Sequence, residues 1–253
     1  MVASRLRPDL VVVTGAGSGI GRATAEEFAL GGAVVICADI DPAAASETAL
    51  RIGHHGGQAD AHSLDVADPD AWERFGAAVL AEHGVADVVV NNAGIGMGGP
   101  FLEHTAEDWR RLVDVNLLGV VHGCRVFGRQ LAWRHRTDPG RRGHLVNVAS
   151  AAAFTPSRLL PAYVATKAAV LMLSEALRAE MADHNVGVSA ICPGFIATNI
   201  YAATTYVGLT SADGQRRGAL AQRLAGRFAA GPELVARRIA FAARHDVPVL
   251  PVT

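Results

Sequence analysis

Along the chain, short runs of β-branched and apolar residues alternate with longer segments whose apolar positions recur at helical spacing. The runs at 10–14, 33–39, 61–65, 87–91, 144–149, 186–192 and 247–252 predict strands. The segments 19–30, 42–52, 69–82, 105–136, 161–183 and 232–244 predict helices. Strict alternation of strand and helix implies crossover connections, which build a parallel sheet covered by helices on both faces. The expected class is therefore α/β, a doubly wound fold around a parallel seven-stranded sheet. Between residues 1 and 253 there is no linker-like shift in composition, internal repeat or low-complexity tract, which predicts a single domain.

Three segments depart from the rhythm. The stretch 134–143 is polar and turn-rich, and reads as a solvated loop rather than an anion or nucleic-acid patch. The stretch 199–231 is too long for a plain connection; a substrate lid and a purely structural insertion are both open readings. The run 247–252 carries Pro248 and Pro251, which remove two ladder donors, so the last strand is expected to be short or at an edge.

The first strand runs directly into Thr14-Gly15-Ala16-Gly17-Ser18-Gly19-Ile20-Gly21, which opens the first helix. Glycines let the backbone approach a pyrophosphate, and the helix N-terminus offers unpaired N–H groups and the positive end of its dipole. A tight strand-to-helix turn also wants glycine for steric reasons alone. The second strand, however, ends in Asp39, where a carboxylate can hold the adenosine ribose hydroxyls. The same carboxylate would repel a 2′-phosphate, and neighbouring Ser18 and Ile40 offer no positive charge, so NAD is expected over NADP.

Of the 23 basic residues, 22 are Arg and one is Lys167. That lysine stands four residues after Tyr163, near the start of a helix marked by Pro161, so both side chains share one helical face. A free phenol titrates near pH 10, and a neighbouring ammonium favours its ionised form. Such a tyrosine can exchange a proton with an alcohol or ketone. A compact ammonium also concentrates charge and points three donors at nearby hydroxyls, which a guanidinium does not.

Together these pieces resemble the short-chain dehydrogenases/reductases, in their compact single-domain branch, over nearly the whole chain. The resemblance rests on Thr14-Gly15-(x3)-Gly19-Ile20-Gly21, Asp65-Val66, Asn91-Asn92-Ala93-Gly94, Asn116, Ser150, Tyr163-(x3)-Lys167 and Pro193-Gly194-(x3)-Thr198. It implies a Rossmann fold and a catalytic set of Asn116, Ser150, Tyr163 and Lys167. In that set Tyr163 is the proton donor and acceptor, and Ser150 hydrogen-bonds the substrate oxygen. Lys167 binds the nicotinamide ribose and lowers the tyrosine pKa, while Asn116 anchors a water leading from Lys167 to solvent. For the cofactor it implies Gly15, Ser18, Gly19, Ile20 and Gly21 at the pyrophosphate, Asp39 at the ribose, and Asp65 and Val66 beside adenine. Asn91 and Ala93 would line the adenosine side, Gly94 after them would also contact the cofactor, and Pro193, Gly194, Ile196 and Thr198 would hold the carboxamide. Where many compact members carry a glycine-rich last strand, this chain has Val-Pro-Val-Leu-Pro-Val-Thr at 247–253. The helices 105–136 and 161–183 would form a homodimer face; a homotetramer is the family's usual assembly, and the two prolines speak against it.

Composition narrows the partners. The formal net charge is −1, which removes the electrostatic case for nucleic acid or an anionic membrane. The longest apolar runs, such as 33–38, are far shorter than a membrane helix needs, and the first residues do not read as a signal peptide. Cys37, Cys124 and Cys192 are odd in number and far apart, which argues against disulfides and zinc and for a reducing cytoplasm. Ten histidines lack ligand spacing, so no metal is expected. Apolar residues at Ile200, Tyr201, Tyr206, Val207 and Leu209, at 151–154 and at Leu159-Leu160 predict a mainly apolar alcohol or ketone substrate. Two other classes compete. An S-adenosylmethionine methyltransferase would suit the glycine turn but leaves Ser150, Tyr163 and Lys167 without a task. A nucleotide-sensing protein on the same fold would not need that set intact.

Overall fold

The computed structural model of the chain describes residues 6–198, 200–210, 212–214, 216, 218–220, 223 and 230–252. The strands are β1 (Leu10–Thr14), β2 (Val34–Asp39), β3 (Gln58–Ser63), β4 (Val88–Asn91), β5 (Met97–Gly98), β6 (Gly143–Val148), β7 (Val186–Pro193), β8 (Thr205–Tyr206) and β9 (Val249–Val252). Between them run α1 (Gly19–Leu30), α2 (Pro42–His54), α3 (Pro69–His83), α4 (Ala106–Val113), α5 (Gly119–Thr137), α6 (Pro161–Met181), α7 (Ile200–Ala203) and α8 (Pro232–His245). Seven strands form one parallel sheet in the order β3-β2-β1-β4-β6-β7-β9, as the alternating pattern predicts. The chain reverses direction across the sheet between β1 and β4, and such a switch opens a crevice at the carboxyl ends of the strands. Among the described residues no helix is long and apolar enough to cross a membrane.

Alternate residues of each central strand feed two separate cores. Leu10 and Val12 of β1 face Trp72, Phe75, Phe127 and Leu131 of α3 and α5. Val11 and Val13 face Phe28 of α1 and Val235 and Ile239 of α8. The aromatic trio Trp72, Phe75 and Phe127 meets edge to face, with ring centres 5.9 to 6.3 Å apart. That geometry suits the ring quadrupoles and stiffens the wall behind the sheet.

Several boundaries differ from the pattern-based expectation. The third strand begins at Gln58 and ends at Ser63, not 61–65, because it is an edge strand with largely exposed, alternating side chains that carry little apolar signal. The predicted helix 105–136 is interrupted by a π turn at Asp114–Leu118, which apolar periodicity does not reveal. The last strand starts at Val249 rather than 247, and it is both short and at the edge. The loop 134–143 is not simply solvated. Arg134 and Arg141 both donate to the buried Asp87, at 2.7 and 2.9 Å, and the same carboxylate accepts from the backbone N–H of Asp9 and Leu10. Asp87 thereby ties the starts of β1 and β4 together at the end of the sheet opposite the crevice, and these donors hold its carboxyl below the usual range despite burial.

A second buried polar group lies at that end. Ser189 Oγ donates to the Val247 carbonyl at 2.6 Å, so it accepts from His144 Nε2–H at 2.8 Å, which assigns the imidazole tautomer. Burial, with Arg142 and Arg178 nearby, pushes the His144 pKa down to about 3 against the pull of Asp246. A histidine depressed in the fold binds its proton more readily in the unfolded chain, so the stability it supports is lost as pH falls below about 6.5. The expected outcome is an imidazole ¹⁵N spectrum in which His144 stays in the neutral Nε2–H form at pH 5. A protonated signal at that pH would refute the assignment.

Candidate active site

The crevice side of the sheet begins with the glycine turn between β1 and α1. Gly15 and Gly19 adopt φ of +64° and +53°, the left-handed region that glycine enters without strain. Gly21 packs so tightly on the Gly15 carbonyl that any side chain would collide with it. Ser18 stands at the N-cap of α1 without a side-chain capping bond, leaving the first helical N–H groups available to an anion. A backbone cradle that a Cβ would fill, beneath an uncapped helix start, fits a dinucleotide pyrophosphate.

The turn is held by the motif residues Thr14, Asn92 and Asp39 together with Arg22 and Thr48, which the sequence pattern did not single out. Thr14 Oγ1 accepts from the backbone N–H of Asn92 and Ala93, both at 3.1 Å, and Asn92 Nδ2 donates to the Thr14 carbonyl at 2.9 Å. Arg22 donates to the Gly17 carbonyl at 2.5 Å and to Thr48 Oγ1 at 3.1 Å. Asp39 Oδ2 accepts from Gly17 N–H at 2.8 Å, so the carboxylate expected at the ribose also clamps the loop. The available signals were a polar residue ending an apolar strand and an arginine directly after the last turn glycine.

On the adenosine side, Asp65 is exposed and accepts from Ala67 N–H at 2.9 Å. Val66 is buried, and its carbonyl accepts from Trp72 Nε1 at 3.0 Å. Asn91 ends β4, but its amide points into the core, donating to Asn147 Oδ1 at 2.8 Å and lying 3.4 Å from Cys124 Sγ. Ala93 and Gly94 follow at the open edge of the sheet.

The reacting centre is assembled from β6, α6 and the π turn. Pro161 starts α6 at a position where its missing N–H is harmless, and Tyr163 and Lys167 follow one turn apart. Lys167 is only 4% exposed; its Nζ donates to the Val148 carbonyl at 2.9 Å and lies 5.8 Å from the centre of the Tyr163 ring. Burial pulls its pKa down from 10.5 to about 8, slightly opposed by nearby Cys192. Asn116, fully buried in the π turn, accepts from Ile95 N–H at 2.8 Å and donates to the Ile95 carbonyl at 3.0 Å. Its Nδ2 also reaches Thr166 Oγ1 at 3.4 Å, and Thr166 donates back to the Tyr163 carbonyl at 2.8 Å. Gly94 fits between these groups: a Cβ there would stand 3.2 Å from Asn116 Oδ1 and 3.5 Å from Lys167 Nζ. Ser150 follows β6, its hydroxyl accepting from Ala152 N–H at 3.1 Å.

The far wall follows β7. Pro193 ends the strand, Gly194 N–H donates to the Val252 carbonyl at 2.8 Å, and buried Ile196 pairs with Ala230. Thr198 leans over Gly19, where an added Cβ would meet its side chain at 3.4 Å. Within the expected lid 199–231, the structure describes α7 and β8, and β8 pairs with β5 in a small parallel ladder that the sequence did not reveal. Asn199, the Tyr201 side chain and most of 221–229 fall outside the described residues.

The short chain dehydrogenase family model matches residues 9–206. The "Probable oxidoreductase EphD" of Mycobacterium tuberculosis is 48% identical over 96% of this chain, which spans only 40% of that relative's length. A short chain dehydrogenase/reductase from Burkholderia phymatum, solved in complex with NAD, is 30% identical with a TM-score of 0.82, covering 99% of this chain and 90% of the other. A Beutenbergia cavernae chain solved with bound NADP is 33% identical with a TM-score of 0.81, covering 99% and 97%. With a family match over most of its length and the parallel sheet, glycine turn and Tyr163–Lys167 helix in place, this chain belongs to the short-chain dehydrogenase family.

Proposed function

We propose that the chain is an NAD-dependent dehydrogenase that interconverts a secondary alcohol and a ketone, with a mainly apolar substrate. The observation that carries this reading is the ammonium of Lys167, withdrawn from water 5.8 Å from the Tyr163 ring. A bound nicotinamide dinucleotide would supply or accept the hydride. Gly15, Ser18, Gly19, Ile20 and Gly21 would hold its pyrophosphate, and Asp39 the adenosine ribose. Asp65, Val66, Ala93 and the Asn91 backbone would line the adenosine half; Gly94, packed beside Asn116 and Lys167, would lie toward the nicotinamide ribose, and Pro193, Gly194, Ile196 and Thr198 would hold the carboxamide. Tyr163 Oη gives its proton to the ketone oxygen in reduction and takes it from the alcohol in oxidation, while Ser150 orients that oxygen. Lys167 favours the phenolate and binds the nicotinamide ribose, and Asn116 fixes the Ile95 backbone against α6.

The apolar rim supports the substrate class. Phe101, Leu102, Phe154, Leu159 and Leu209 are all exposed on the segments that border the reacting centre. Exposed Trp133 on α5 and Met172 on α6 support self-association through those two helices. Three buried free cysteines suit a reducing, cytoplasmic setting.

Three measurements test the reading. In a spectrophotometric screen of secondary alcohols with NAD, Tyr163→Phe is expected to lower kcat by roughly 10²–10⁴ while NADH affinity changes little; retention of wild-type kcat would remove Tyr163 from the proton transfer. Asp39→Asn keeps an oxygen that can accept from Gly17 N–H but removes the charge. It should raise the NADP-to-NAD ratio of kcat/KM roughly tenfold or more, and an unchanged ratio counts against NAD preference residing there. Lys167→Met removes a buried charge whose pKa lies at about 8 instead of 10.5. At pH 7 the folded state carries that cost, so the inactive variant should be more stable than wild type by roughly 3 kcal/mol, at about 1.4 kcal/mol per pKa unit. Because the depressed pKa gives wild-type stability back as pH rises from 8 to 10.5, the gap should close over that range in urea melts. A variant less stable at pH 7 would show that the ammonium is better solvated than its burial implies.

A further inference from the structure

Beside Tyr163, three chain segments meet to form one wall. Thr205 N–H donates to the Gly96 carbonyl at 3.2 Å, Val207 N–H to the Gly98 carbonyl at 2.8 Å, and Gly99 N–H to the Leu159 carbonyl at 2.9 Å. The ladder between β5 and β8 covers only two residue pairs, too few to hold by backbone bonds alone. Side chains complete the fit. The space a Cβ would take on Gly96 is occupied by the Thr204 hydroxyl, with Thr204 Cβ at 3.3 Å, and that hydroxyl donates to the Ile200 carbonyl at 2.7 Å. Inside the wall, buried Met97 and half-buried Val207 and Trp109 pack in one cluster with Tyr163. Outward, the same segments carry Leu102, 90% exposed, with Phe101, Leu159 and Leu209.

We infer that the Gly96–Thr204 contact is a specificity-determining lock, seating residues 204–207 against 96–98 so that a continuous apolar wall runs outward from Tyr163 and selects secondary alcohols with long alkyl substituents. The inference rests on the dehydrogenase reading for its substrate and on geometry for the lock. A Cβ on Gly96 collides with the Thr204 hydroxyl; turning that hydroxyl away breaks its bond to the Ile200 carbonyl and still leaves Thr204 Cβ 3.3 Å from the new atom, so the strap is expected to shift outward and the inner wall beside Tyr163 with it. An alkyl group lying on the seated wall gains roughly three- to fourfold in kcat/KM for each methylene it buries.

The test uses 2-alkanols from 2-butanol to 2-decanol with NAD, together with amide hydrogen exchange at Thr205 and Val207. Wild type is expected to improve steeply with chain length. Gly96→Ala should cut 2-decanol turnover at least tenfold, change 2-butanol less than threefold, and lose protection at both amides. Adding Thr204→Ala should restore protection and the chain-length slope, whereas adding Thr204→Val, which keeps the volume, should not. A Gly96→Ala protein with wild-type slope and protection overturns the lock, as does a Thr204→Ala double variant no better than the single one. Should wild type turn over no alkanol, the dehydrogenase reading fails separately. The exchange series still decides the lock, and calorimetry of the same alkanols on NAD-loaded protein decides selectivity, a flat affinity series overturning it.

Discussion

An ammonium held out of water at the edge of the sheet sets the terms for everything around it. Lys167 is the only lysine, is almost fully buried, and donates to the Val148 carbonyl. Holding a charge there is unfavourable unless the surroundings are fixed and polar. Its neighbours follow from that need. Gly94 packs against both the ammonium and Asn116, which the π turn supplies; a Cβ there would touch Lys167 Nζ at 3.5 Å and crowd Asn116 Oδ1 at 3.2 Å. Tyr163 stands one helical turn away, its ring centre 5.8 Å from the ammonium. The direction of its pKa, lowered by burial, means that the fold gives up stability at neutral pH to keep this group charged in place.

A different kind of buried polar group lies at the other end of the same strands. Asp87 gathers two arginines and two backbone N–H groups at the starts of β1 and β4, and His144 joins Ser189 and the Val247 carbonyl between β6, β7 and the turn before β9. These buried polar clusters tie neighbouring strands together at the end of the sheet away from the glycine turn. The carboxyl ends of the same strands carry the glycine turn, Asn92, Ser150 and Pro193, and are left open. Rigidity at one edge and accessibility at the other follow from one parallel sheet, because all strand ends of a kind lie on the same side.

What the sequence made legible is what local spacing encodes. Apolar periodicity located the strands of the sheet, glycines marked the turn, and a four-residue interval put Tyr163 and Lys167 on one face. Contacts between distant segments left no such trace. Arg134 and Asp87 are 47 positions apart, so a loop of arginines read as solvated when two of them lie against a buried carboxylate. The π turn adds a residue without changing which positions are apolar. The β5–β8 ladder is built from two residues on each side, one of them glycine, and its logic is the absence of a side chain at Gly96, which no periodicity displays. β3 was displaced because an edge strand facing water alternates polar residues.

The clamps on the glycine turn also bear on cofactor choice. Asp39, Arg22 and Asn92 each bond a different group of the loop, so side chains from three separate segments hold the turn in shape. Those bonds suit either nicotinamide dinucleotide and do not by themselves discriminate. Under the NAD reading discrimination would fall to Asp39, whose two oxygens accept from Gly17 and Asp41 N–H. Each carboxylate oxygen has a second lone pair for a ribose hydroxyl. A 2′-phosphate would instead meet a negative charge that cannot swing aside, because doing so would break the bonds that shape the turn. Arg22, a cation bordering the turn, is already committed to the Gly17 carbonyl and to Glu47. Under the NAD reading, the residue that rejects the phosphate and the residue that preorganises the loop are therefore the same, and the two roles reinforce each other.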